Sequence, residues 1–175
     1  MFKIGDYVVY GIDGVCRVGA VGPITMMNGE TTEKPYYTLV PVYAEGSTVY
    51  SPVSNQKVVM RKILTREETN DLIKDIPGMK PLDVPDEKSR EKVYKSAIQS
   101  CDCRELVRLI KTVYFRKEHR LSRGKKSTAV DEKYYHAAQD QLYGELAIPL
   151  QIDRSKVREY IAESVGDPVE NPDEQ

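Results

Sequence analysis

DCRELVRLIKTVYFRKEHRLSRGKK, residues 102–126, is the stretch that divides the chain. Leu106, Leu109, Ile110 and Val113 recur at three- and four-residue steps, and Val107 and Tyr114 widen the stripe. That is the period of a helix with one side on a protein core. Asp102 followed by Glu105 reads as a capping box at its start. The other side and the closing turn are basic: Arg104, Arg108, Lys111, Arg116, Lys117, Arg120, Arg123, Lys125 and Lys126 stand against Asp102, Glu105 and Glu118. The stretch therefore carries +6 within a chain of formal charge −1, which leaves −7 for the remainder. Such asymmetry points to a polyanionic partner. The plainer reading is a solvated helix face whose cations suit the negative end of the helix dipole.

Outward from this helix the chain separates into two kinds of pattern. Before it, up to about residue 62, FKIGDYVVY (2–10), GIDGVCRVGAV (11–21), PYYTLVPVY (35–43), STVYSPVS (47–54) and KVVMRKIL (57–64) read as short strands, with turns at Gly5-Asp6, Asn28-Gly29 and Glu45-Gly46. Five or so strands in this length predict a small, strongly bent Tudor- or SH3-like β-barrel. Pro41 and Pro52 mark strand edges or bulges, since proline has no N–H for a ladder. An exposed edge can accept a partner's strand. The many tyrosines of this half read as half-buried strand residues in preference to an aromatic cage.

From Thr65 the period becomes helical. Thr65 and Glu68 predict a second capping box, opening TREETNDLIKDI (65–76) and ending at Pro77-Gly78. PGMKPLDVPDEK (77–88) reads as a linker or an irregular corner, and SREKVYKSAIQ (89–99) as a helix with Val93, Ala97 and Ile98 inward. A long helix from near Thr128 places Tyr134, Ala138, Leu142 and Leu146 on one stripe, and a last one follows a cap at Asp153 with Val157, Tyr160, Ile161 and Val165 inward. The fold expected is α+β: a barrel over 1–64, a short helix and linker over 65–85, an all-α helical domain over 86–165, and an acidic tail over 166–175 whose composition predicts disorder.

Composition narrows the function. No apolar run reaches the ~20 residues of a membrane span, and the start shows no signal pattern, so cytoplasmic residence is expected. Cys16, Cys101 and Cys103 form no CxxC pair and match no zinc spacing with His119 or His136. No phosphate-cradling loop, HExxH or nucleophile motif is present, so neither an enzyme, a metal nor a cofactor is expected.

FKIGDYVVYGIDGVCRV (2–18) resembles the FxxGDxVVYxxxGV opening of bacterial CarD/CdnL/TRCF-type transcription regulators. SCDCRELVRLIKTVYFR (100–116), RLSRGKK (120–126) and LYGELA (142–147) resemble later family segments in order and length, extending the likeness to about Ile161. The resemblance implies a regulator whose barrel adds to a strand of the RNA polymerase beta subunit, while the helical domain touches promoter DNA and tunes open-complex lifetime; a monomer is the default expectation. It assigns docking to Thr48, Val49 and Tyr50, with Ile24 at a further family docking position, and DNA contact to Lys92, Arg116 and Lys126. The charge argument adds Arg108, Lys111, Arg120, Arg123 and Lys125 on phosphates, with little sequence specificity. Family members also place a wedging tryptophan before the helix of Lys92. This chain has none, and Glu87 or Lys88 stands there. The alternative is a protein–protein adapter that binds polymerase without engaging DNA.

Overall fold

The computed structural model describes residues 1–166, so the expected acidic tail lies, apart from Gly166, outside the described residues. The chain falls into two units, Met1–Ile63 and one beginning at Leu64. The architecture is α+β.

The first unit is an antiparallel sheet of β1 (Tyr7–Tyr10), β2 (Gly14–Gly22), β3 (Tyr36–Pro41), β4 (Val49–Pro52) and β5 (Met60–Lys62), in the order β4-β3-β2-β1-β5. Alternation sends Val8, Tyr10, Cys16, Val18, Tyr37 and Leu39 to one face, where Phe2, Val21, Val49, Val53 and Met60 complete a core. The register slips between Val18 and Ala20, a bulge that bends the long β2. Gly11 is required between β1 and β2: its φ is +46°, and a Cβ would stand 2.7 Å from Val58 Cγ1. The expected barrel closure is not seen. β4 pairs only with β3 and the three-residue β5 only with β1, so both are edges.

Among the described residues the second unit holds five α-helices: α1 (Arg66–Asp75), α2 (Arg90–Ser100), α3 (Cys103–Ser122), α4 (Ala129–Leu150) and α5 (Val157–Val165). The capping box at α1 is formed, with Glu68 N–H donating to Thr65 Oγ1 at 3.1 Å and Thr65 N–H to Glu68 Oε2 at 2.8 Å. The one expected at α3 is not. Asp102 accepts from Arg104 N–H at 2.8 Å, but its own N–H goes to Ser100 Oγ and Glu105 turns to Arg108. The stripe of α4 is buried as its spacing requires, Tyr134, Ala138, Leu142 and Leu146 meeting Leu106, Leu109 and Val113 of α3 and Ala97 of α2 in one core. Each buried leucine or valine among them contributes about 1.5–3 kcal/mol. Tyr94, fully buried, is the core residue that the Val93-Ala97-Ile98 reading of α2 leaves out.

Candidate functional site

The free edge of the sheet comes first. β4 pairs with β3 so that Tyr37 stands opposite Ser51, Thr38 opposite Tyr50 and Leu39 opposite Val49. Val53 N–H donates to the Pro35 carbonyl at 3.0 Å. Bonded and non-bonded pairs alternate along an antiparallel ladder. Val49 and Ser51 therefore turn their backbone groups toward β3, and Tyr50 turns both of its own outward. Pro52, which lacks an N–H, falls at an outward position, where that lack breaks no bond of the sheet. Tyr50 is 53% exposed, Thr48 is exposed and Val49 leans into the core. Ile24 is half-buried beyond the end of β2, tied to Thr32 by its N–H to Oγ1 at 3.0 Å and by its carbonyl to Thr32 N–H at 2.9 Å. A pocket of about 410 Å³ is lined by Phe2, Tyr37, Pro52, Val53, Asn55 and Met60, among others.

The basic helix α3 has two fates along its length. In its first half the cations bind the protein itself. Arg104 pairs with Asp75 at 2.7 Å, and Arg108 with Glu105 at 2.7 Å while donating to the carbonyls of Lys80 and Pro81. Lys111 Nζ donates to the Ile76 carbonyl and, at 2.9 Å, to that of Met79. Together with Leu82 N–H on Thr112 Oγ1 at 2.8 Å, they hold residues 76–82 along the helix as a strap. The linker expected there is packed, with Met79, Leu82 and Val84 against the core. Arg108 and Lys111, expected to face DNA, are thus committed within the fold.

Arg116 is committed more deeply, its side chain only 18% exposed. Its Nε donates to Asp131 Oδ2 at 2.8 Å, and its two terminal nitrogens to Glu87 Oε1 at 2.6 Å and Oε2 at 3.2 Å. Asp131, almost fully buried, also accepts the Tyr94 hydroxyl at 2.9 Å. Arg90 donates to the same Glu87 carboxylate, at 2.9 and 3.2 Å, and to the Tyr94 oxygen at 3.1 Å. Hydrogen bonds from Arg90 and then Arg116 hold Glu87 at about 2, below the ordinary 4.5. Partial burial works against the charge on Arg116, but its bonds to Glu87 and Asp131 outweigh this and raise its pKa. The expected phosphate contact of Arg116 is occupied in this structure by the chain's own carboxylates. The sequence does carry a signal for Asp131: it stands three residues before Tyr134, in register with the apolar stripe of α4, where a charge needs a partner.

The end of α3 is different. Gly124, at φ +72°, closes it in a Schellman motif, with Gly124 N–H to the Leu121 carbonyl at 2.9 Å and Lys125 N–H to that of Arg120 at 2.9 Å. Arg120 Nε ties the turn further by donating to the Lys126 carbonyl at 2.8 Å. Arg123, Lys125 and Lys126 are exposed around this fixed turn, as is Lys92 on α2, and none of the four makes an ion pair among the described residues. Tyr114 and Phe115, in edge contact at 5.7 Å, lie exposed about two to three turns before Arg123, Lys125 and Lys126. No helix among the described residues is long and apolar enough to cross a membrane, and no group of His, Cys, Asp or Glu among them is placed to hold a metal ion.

Comparison with curated proteins finds no match. A family model described as the CarD-like/TRCF RID domain matches residues 2–64, the sheet unit and its exit, while the helical unit lies outside the matched residues. The open-edged sheet is thus the part of the chain that is similar to a CarD-like/TRCF RID domain.

Proposed function

We propose that this protein is a non-enzymatic, monomeric transcription regulator that docks on the polymerase beta subunit through β4 and rests the basic turn after α3 on promoter DNA, tuning open-complex lifetime. The observation that carries the docking half is the outward-facing N–H and C=O of Tyr50 on an unpaired edge of a sheet similar to a CarD-like/TRCF RID domain. A strand of the partner adds there through backbone bonds, with Thr48, Tyr50 and Ile24 supplying side-chain contacts. The same half keeps the Tudor-like reading, in which the added strand fills the seam that β4 and β5 leave open. Tethering by the sheet raises the local concentration of a weak cationic surface next to DNA phosphate. That surface is Lys92, Arg123, Lys125 and Lys126, with Arg120 bracing the turn. Lysine and arginine on phosphate position the protein and carry little base information.

Tyr50→Pro removes an N–H that faces away from β3, so the sheet survives while an incoming strand loses its donor. Polymerase capture is expected to fall by at least tenfold with an unchanged unfolding midpoint. Lys125→Glu with Lys126→Glu keeps capture but shortens the half-life of open complexes severalfold. With four phosphate contacts, DNA affinity in the assembled complex falls with salt at a log–log slope of about −3.6. A half-life untouched by the double reversal favours the second reading, an adapter that occupies polymerase without engaging DNA. What supports that reading is the internal use of Arg104, Arg108, Lys111 and Arg116.

A further inference from the structure

Glu87 occupies an unusual position for an exposed carboxylate. Its side chain is 68% exposed, yet it receives four N–H donors, two from Arg90 and two from Arg116. Two guanidinium forks converging on one small anion is the arrangement in which arginine grips phosphate. Neither fork depends on Glu87 for its place. Arg116 is held from beneath by the buried Asp131 through Nε, and Arg90 by the Tyr94 hydroxyl through Nη1, and that hydroxyl in turn donates to Asp131. The two arginine side chains are 16% and 18% exposed, packed into position and open toward the one side that Glu87 covers.

We infer that Arg90 and Arg116 form a phosphate site and that Glu87 is its displaceable internal lid, swung aside when a phosphate of a nucleic-acid backbone takes its place. Glu87 stands in a single 3-10 turn ahead of α2, and its carboxylate has no other partner among the described residues. Exposed ion pairs hold weakly, so the exchange of one anion for another is inexpensive. With Glu87 in place, two guanidiniums are balanced by two carboxylates. With it removed, the site keeps Asp131 as its only anion and becomes a net +1 cradle, flanked by the exposed Lys88 and Lys92. The inference rests on the proposed DNA contact for the source of the phosphate, and it restores to Arg116 a role that its ground-state pairing conceals.

The test uses the full-length chain and Glu87→Gln, which keeps the shape but not the charge, with Glu87→Ser as a second, smaller replacement. Duplex DNA binding is measured over a range of salt, and inorganic phosphate is titrated while the Nε–Hε resonances of Arg90 and Arg116 are followed. Expected are DNA binding about tenfold tighter in both variants, a log–log salt slope steeper by about 0.9 to 1.8 as one or two further phosphates are engaged, and phosphate-dependent shifts of both arginine resonances in the variants at concentrations that leave the wild type unmoved. Equal DNA affinity and slope in wild type and variants overturn the lid even if inorganic phosphate binds. If the Lys125/Lys126 reversal still weakens DNA binding in that case, the broader reading stands without it. Absence of DNA contact in every variant, polymerase present, overturns both.

Discussion

Helix α3 and the turn that follows it carry the same residue types and meet opposite ends. Arg104 closes onto Asp75, Arg108 and Lys111 onto the strap at residues 76–82, and Arg116 onto Asp131 and Glu87, whereas Arg123, Lys125 and Lys126 stand around a Schellman turn with no ion pair among the described residues. Local charge in the sequence is the same kind of quantity in both, but only the turn after the helix is an unpaired charged surface among the described residues. A basic stretch is a structural clamp wherever the fold brings carbonyls or carboxylates over it, and an interface where the chain ends the helix and turns away.

The comparison breaks most visibly at Asp131. Asp131→Ala leaves Arg116 with Glu87 alone and the Tyr94 hydroxyl without its acceptor, and removing one member of a buried pair costs about 3–5 kcal/mol. Denaturant unfolding of the full chain checks this, and a loss below about 1 kcal/mol would mean that Arg116 readily finds solvent. Lys111→Met comes next. It keeps the apolar stem but leaves the Ile76 and Met79 carbonyls without their charged donor, an expected loss of about 1.5–3 kcal/mol. Hydrogen exchange at Leu82 N–H, which reports whether the strap still lies on Thr112, should speed up in parallel.

What sequence made legible follows the range of the interactions. The α4 stripe, the Thr65–Glu68 box and the turn at Gly124 are decided within four or five residues, and they stand as the spacing requires. The Asp102–Glu105 box has the same spacing and does not form, because Ser100 and Arg108 are better-placed partners. The fate of the cations was out of reach for a different reason. Glu87 lies 29 residues from Arg116, and the Lys80 carbonyl 28 from Arg108, so no local window contains both ends. The β4 edge was readable from Pro52, whereas Pro41 stands in β3, an interior strand, away from the bulge at Val18/Ala20, and that β4 and β5 do not pair was legible from neither proline.

The smallest effect separates the helix from the turn by acid. Glu87 sits where clamp and surface meet, an exposed carboxylate on two packed arginines, and its pKa is held at about 2 against an ordinary 4.5. Between those values the unfolded chain binds more protons at this site than the folded one, so its contribution is complete above about 4.5 and is lost as pH falls through about 2. Because Glu87 is mostly in water, solvent screens the pair and the contribution is at most about 1 kcal/mol. Glu87→Gln should therefore flatten the stability profile over this window and differ from wild type by a constant offset above it. If the two profiles run parallel from pH 5 to pH 2, the arginines do not hold Glu87 ionised. The site would then belong with the unpaired surface of the helix end, and not with the clamp.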